Sequence, residues 1–260
     1  MDGTLVLGDR RNKGLVALPG AIALLEHLGD RNVPFLLLTN GTAHTPQEYV
    51  ATLSALGFPL TEASVITPSS VAADYFVRCG SQRVLVLGAR GVWQPLEAAG
   101  ITLVPATPHA LADAVYVGWH RDFTMDELDA ACHAVWQGAK LFAASLSPFF
   151  ATAEGRALGT SRAIAAAITS ITGARPTVLG KPSLEALRNA ARRLGARMRE
   201  IAVVGDDPVL EVPMAHKGRA LAVAVNTGLG DSDIFAQLPE HARPHITVHG
   251  AQELLDLYAG

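Results

Sequence analysis

The chain has 260 residues, 49% hydrophobic and 17% charged, with a formal net charge of -3. That much apolar material builds a globular core and excludes a disordered polymer. The mild acidity offers no basic footprint for nucleic acid, and no apolar run approaches the roughly 20 residues of a membrane span.

Cys79 and Cys132 stand far apart, in no metal or redox spacing, which fits free thiols in a reducing compartment. No basic segment followed by an apolar core opens the sequence. A soluble, cytoplasmic protein is expected. The arginines between Arg188 and Arg199 read as the solvated face of an amphipathic helix rather than a binding patch.

In chain order, the first stretch is an acidic turn, Met1-Asp2-Gly3-Thr4-Leu5. Its carboxylate can shuttle a proton, Gly3 lets the backbone turn tightly beside a ligand, and Thr4 can bond the neighbouring backbone. Residues 20–29 carry apolar side chains at helical spacing. Residues 33–38 form a continuous apolar run that ends at Thr39-Asn40-Gly41. Thr45 opens a helix as N-cap, with Pro46 in its first turn and Glu48 completing a capping box. A further helix is expected over 69–78.

Apolar runs at 83–87, 114–117 and 140–144 end at Gly88, Gly118 and Ser145. Thr124 followed by Glu127 starts a helix that runs to Gln137. A helix over 161–172 precedes the run 177–179, which ends at Gly180-Lys181. Another covers 183–194 and stops at Gly195. The run 201–204 ends at Gly205-Asp206-Asp207, and 221–225 ends at Asn226-Thr227-Gly228. Unbroken apolar runs mark strands buried on both faces, and their alternation with helices predicts a doubly wound, parallel α/β sheet.

Ligands of such sheets bind outside the carboxyl ends of the strands. Three of those ends carry Thr39-Asn40-Gly41, Lys181 and Asp206-Asp207. Each alone reads as a turn, a solvated side chain or a cap. Together with Asp2 they assemble clustered carboxylates, one cation and neutral donors. Clustered carboxylates repel unless a divalent cation neutralises them, and hard oxygen ligands suit Mg²⁺. Mg²⁺ and a lysine together neutralise a phosphoryl group.

Other motifs point elsewhere only weakly. His241, His245 and His249 recur every four residues, but Pro244 and the run 246–248 argue against the helix that a metal site would need. Asn226 to Gly230 lacks the spacing of a dinucleotide fingerprint and reads as a loop near the crevice. Ser145 and Ser147 stand in no nucleophile elbow.

Met1-Asp2-Gly3-Thr4-Leu5, Leu38-Thr39-Asn40-Gly41, Gly180-Lys181-Pro182-Ser183 and Val204-Gly205-Asp206-Asp207 resemble, in order, the four motifs of the haloacid dehalogenase superfamily of phosphatases. Thr39-Asn40 and Gly180-Lys181-Pro182-Ser183 look like its NagD-like, 4-nitrophenyl phosphatase subfamily, which has a C2-type cap. The stretches 84–88, 115–118 and 121–124 resemble that cap.

The resemblance implies a Rossmann-like core over 1–79 and 179–260, with an inserted α/β cap over 80–178. It implies Mg²⁺-dependent hydrolysis of a small phosphomonoester: a sugar phosphate, nucleotide, phosphoglycolate or pyridoxal phosphate. Asp2 matches the second aspartate of the first motif, a general acid and base whose main-chain carbonyl also ligates Mg²⁺. Thr39, with Asn40 and Gly41 beside it, matches the phosphate-binding stretch. Lys181 matches the lysine that steadies the phosphate, and Asp206 the metal ligand. Glu211 and Asp207 are alternatives for the later acid of the fourth motif. Caps of this subfamily often mediate dimers, so a homodimer through the cap is an expectation.

Two departures accompany the match. The nucleophilic aspartate belongs one residue ahead of Met1, and the first core strand with it, so an expected gap opens in the sheet. The alternative reading is a relative that binds phosphate or protein without catalysis. In the cap, Gly118-Trp119-His120 and Ala144-Ser145-Leu146-Ser147-Pro148 stand where relatives often carry acids. His120 is either a substrate-selecting residue or a loop histidine without a role.

Overall fold

The computed structural model describes residues 1–8, 14–152 and 155–259. Its strands are β1 (Val6–Leu7), β2 (Val16–Ala17), β3 (Leu37–Leu38), β4 (Val65–Ile66), β5 (Arg83–Leu87), β6 (Thr102–Val104) and β7 (Ala114–Val117). β8 (Lys140–Ala143), β9 (Phe149–Thr152), β10 (Gly155–Leu158), β11 (Thr177–Val178), β12 (Ala202–Gly205), β13 (Leu221–Val225) and β14 (Ile246–Val248) follow. The helices are α1 (Ala21–Asp30), α2 (Pro46–Ser54), α3 (Pro68–Cys79), α4 (Arg90–Ala98) and α5 (Met125–Trp136). Then come α6 (Thr160–Thr172), α7 (Leu184–Leu194), α8 (Glu211–Gly218), α9 (Ser232–Gln237) and α10 (Ala251–Ala259).

Three parallel units form the scaffold. One sheet has the order β11-β8-β7-β5-β6, a second β12-β13-β14, and a third is the pair β3-β4. Every pairing within them is parallel. The antiparallel pairs are β1-β2 and the hairpin β9-β10. The fold is α/β, with parallel sheets and helical crossovers. Among the described residues no strand joins β3 to β12. The turn at 1–5 lies between them: Met1 packs in one cluster with Leu37 and Val65, and Thr4 bonds Asp206 at the end of β12.

Where the sequence runs apolar without a break, the strands are buried on both faces: all four residues of β7 are buried, and four of five in β13. The run 33–38 gives a strand only at Leu37–Leu38, because Pro34 removes one ladder donor and restricts its neighbour. Both expected capping boxes form. Thr45 accepts from the Glu48 N–H while Glu48 accepts from the Thr45 N–H, and Thr124 pairs likewise with Glu127. Gly195 adopts φ 63° at the end of α7, a left-handed cap that glycine takes without a Cβ penalty. The arginines of α7 form ion pairs at the surface, Arg188 with Glu185 and Arg192 with Asp74 of α3.

A single apolar cluster crosses from the five-stranded sheet to the other units. It includes Phe76 of α3, Tyr116 and Phe142 of β7 and β8, Leu187 of α7, and Val203 of β12. Phe76 is fully buried and meets Tyr116 and Phe142 edge-on at 6.0 and 5.0 Å. Truncating it leaves a cavity between the units. F76A is expected to lower stability by about 3–5 kcal/mol, read as a drop in the urea midpoint.

Candidate active site

Asp2, Thr39, Asn40, Gly41, Lys181 and Asp206 line one cavity, of about 990 Å³ including its open mouth. Each arrives at the carboxyl end of a strand or in the turn at 1–5. Thr39 follows β3, Lys181 follows β11, and Asp206 follows β12. Thr39, Lys181 and Asp206 are 2%, 6% and 4% exposed. Every side chain named as a site residue from the sequence therefore borders the same space.

Hydrogen bonds fix the acidic end. Asp206 accepts from the Thr4 hydroxyl at 2.9 Å through Oδ1 and from the Leu229 N–H at 2.9 Å through Oδ2. Thr227 Oγ1 donates to the Gly3 carbonyl at 2.6 Å, tying the loop after β13 to the first turn. Gly3 has φ 74°, and a Cβ there would lie 2.2 Å from Asp206 Oδ2. A Cβ on Gly228 would lie 1.9 Å from the same atom. Both glycines admit the Asp206 carboxylate.

Lys181 donates from Nζ to the Glu211 carboxylate, and both side chains are buried. Burial alone would lower the Lys181 ammonium, but Glu211, Asp206 and Asp2 outweigh it and hold the ammonium above its ordinary range. Burial likewise works to raise Glu211, and Lys181 keeps it below the usual carboxylate range. Glu211 Oε2 also accepts from the Asp207 N–H at 3.2 Å. Asp207 is pushed up to about 6, chiefly by burial, with the charges of Glu211 and Asp206 adding to it. The Asp2 carboxyl is raised, again mainly by burial, and the Asp206 charge adds to the shift.

Asn40 ties three segments together. Its Oδ1 accepts from the Lys181 N–H at 2.7 Å, and its Nδ2 donates to the Lys181 carbonyl at 2.9 Å and to Ser145 Oγ at 3.3 Å. The Gly41 N–H donates to Thr39 Oγ1 at 3.0 Å. Two residues on, Thr42 Oγ1 accepts from the Trp119 N–H at 2.9 Å.

Among the described residues, no three Asp, Glu, His or Cys side chains form a metal cage. A hard cation that keeps most of its water needs only one or two carboxylates, and the mutual repulsion of Asp2 and Asp206 is what such a cation relieves. The donor set therefore suits Mg²⁺. His245 bonds Ala222 through both its main chain and Nδ1, while the His249 N–H donates to Glu253. His120 Nε2 lies 2.9 Å from Glu127 Oε1 at the start of α5, while its main-chain N–H donates at 3.3 Å to Thr160 Oγ1, whose residue lines the cavity; His120 itself does not line it.

Residues 1–102 and 55–218 match two families, each described as haloacid dehalogenase-like hydrolase. The chain belongs to the haloacid dehalogenase-like hydrolases. It is 27% identical to the 5'-nucleotidase YutF of Bacillus subtilis, over 95% of this chain and 94% of that one. The solved NagD of Escherichia coli K-12 superposes with a TM-score of 0.85 at 26% identity, covering 97% of this chain and 95% of the other. A 4-nitrophenylphosphatase of Thermotoga maritima superposes with a TM-score of 0.87 at 25% identity, covering 98% and 94%. As a NagD-type member of this family, the chain is a phosphoric monoester hydrolase.

The roles of Gly228, Leu229 and Thr4 around Asp206 were not visible in the sequence, because each depends on contacts between distant segments. The choice of Glu211 as the carboxylate that meets Lys181 needed the helical turn between Asp207 and α8. Removing one partner of this buried pair strands a charge. Glu211→Leu is expected to cost about 3–5 kcal/mol. Lys181→Met combined with Glu211→Leu should recover most of that loss. Urea denaturation of the single and double variants measures both.

Proposed function

We propose that this protein hydrolyses small-molecule phosphomonoesters with Mg²⁺, using Asp2, Thr39, Lys181 and Asp206, with residues 80–178 as a cap over the site. The observation that carries the reading is that four separated stretches bring these side chains to one cavity at the strand ends. Thr39 Oγ, with the main chain of Asn40 and Gly41, holds the phosphate oxygens. The Lys181 ammonium neutralises phosphoryl charge, and Glu211 fixes its position. Asn40 acts through Lys181, bracing the loop that carries it.

The raised Asp2 carboxyl suits a group that gives a proton to the leaving oxygen and then takes one from water. Asp206 and the main-chain carbonyl of Asp2 would hold Mg²⁺, which when bound supplies Lewis-acid charge stabilisation for the phosphoryl oxygens. An aspartyl-phosphate would form on a carboxylate one residue ahead of Met1, a position outside residues 1–260.

One assay on 4-nitrophenyl phosphate tests this reading. The extended protein, residues 1–260 preceded by an apolar strand ending in Asp, is expected to release 4-nitrophenol with Mg²⁺ and to stop with EDTA. Release that is independent of Mg²⁺ would overturn the mechanism. In the extended protein, Asp2→Asn is expected to lower kcat by about 10²–10⁴-fold.

A further inference from the structure

A second cavity, of about 570 Å³ including its open mouth, lies apart from the one that Lys181 borders. It is formed by the loop after β13, α9, the approach to β14 and the start of α10, and the two cavities share no lining residue. The buried Phe235 and Val248 supply its apolar part. Arg243 and Glu253 border it with opposite charges. Arg243 Nε donates to the Leu238 carbonyl at 2.9 Å, and Glu253 Oε2 accepts from the His249 N–H at 2.7 Å. Among the described residues neither side chain makes an ion pair, with the other or elsewhere.

Asn226 lines the same cavity. Its Nδ2 donates to Ser232 Oγ at 2.6 Å, while its Oδ1 is buried with no hydrogen-bond partner. Turning the amide over would pair the oxygen and orphan the nitrogen, so one polar atom lacks a partner in either orientation.

These groups set the chemistry of an occupant. A plain anion answers Arg243 and is repelled by Glu253, and a plain cation meets the reverse. A molecule that carries both charges answers both, and the hydrogens of an ammonium also suit an orphan oxygen such as Asn226 Oδ1. We propose that this cavity binds a small zwitterion, a free amino acid, with its carboxylate on Arg243, its ammonium on Glu253 and Asn226, and its carbon chain against Phe235 and Val248.

The loop that borders this cavity also holds Asp206. The Gly230 N–H donates to the Asp206 carbonyl at 2.8 Å, and a Cβ on Gly230 would lie 2.4 Å from the Phe235 ring. Thr227, next to Asn226, donates to the Gly3 carbonyl. An occupant resting on Asn226 and Phe235 therefore braces the loop from the side opposite Asp206, and its arrival is felt by the amides of Leu229 and Gly230.

Calorimetric titration of the whole chain in metal-free buffer tests this with L-valine, L-methionine, β-alanine and 4-aminobutyrate, which differ in the spacing of their two charges. At least one is expected to bind at millimolar concentration or below. Its N-acetyl and carboxamide derivatives, each short of one charge, are expected to bind about tenfold more weakly or worse. R243M and E253Q should each weaken the amino acid by about the same factor, tenfold; the glutamine still offers an oxygen to the His249 N–H. A circular dichroism melt shows whether each variant is folded, and if R243M is not, E253Q and the two derivatives decide. Amide NMR spectra of the unaltered chain should show Leu229 and Gly230 shifting as the amino acid saturates.

No binding by any of the four overturns the proposal. So does equal affinity for the amino acid and its N-acetyl derivative, affinity that survives in both folded variants, or saturation that leaves the amides of Leu229 and Gly230 unmoved.

Discussion

A buried ammonium among carboxylates is the constraint around which this site is built. Taking an ion out of water costs several kcal/mol unless partners replace the lost hydration. Lys181 meets Glu211 directly and feels Asp206 and Asp2 nearby. The carboxylates in turn have donors. Asp206 has Thr4 and Leu229, Glu211 has Lys181 and the Asp207 N–H, and Asp207 accepts from the Val209 N–H at 2.8 Å. These donors come from the first turn and the loops after β11, β12 and β13, and Glu211 accepts from the start of α8, so the charge cluster holds those segments in register. The carboxylates of Asp2, Asp206, Asp207 and Glu211 outnumber the one ammonium of Lys181, so this end of the cavity keeps an acidic excess.

The loop after β3 transmits that register to the rest of the molecule. Over four residues it supplies Thr39 to the cavity, the Asn40 amide to Lys181 and Ser145, and the Thr42 hydroxyl to Trp119. The same loop thus bonds the main chain of both Lys181 and Trp119. Because the apolar cluster around Phe76 also crosses between the sheets, the two sides of the cavity are held by packing beneath and by hydrogen bonds above.

Much of this was legible from the residues. Strand ends could be read because buried parallel strands are unbroken apolar runs closed by polar turns, as at Val225-Asn226. Capping boxes at Thr45 and Thr124 were local and formed as read. Short elements were not legible: β6 and the strands of the β9-β10 hairpin carry three or four residues each with no clear period, and α8 begins inside a stretch that also looks like a turn. Trp119 lines the cavity and its neighbour His120 does not; sequence spacing says nothing about which of two neighbours does so. Glu127, one turn into α5, claims the histidine.

The interval between β3 and β12 joins the fold question to the chemical one. Among the described residues β3 is paired only with β4, and β12 only with β13, so each leaves one ladder edge without a strand there. Unpaired edges are unfavourable inside a sheet, and the turn at 1–5 reaches into this interval from its carboxyl end. Met1 packs with Leu37 of β3 and Val65 of β4, and Thr4 bonds Asp206 at the end of β12. The first turn therefore joins the two ladders by packing and a hydrogen bond, at the end of the sheets where Thr39, Lys181 and Asp206 line one cavity.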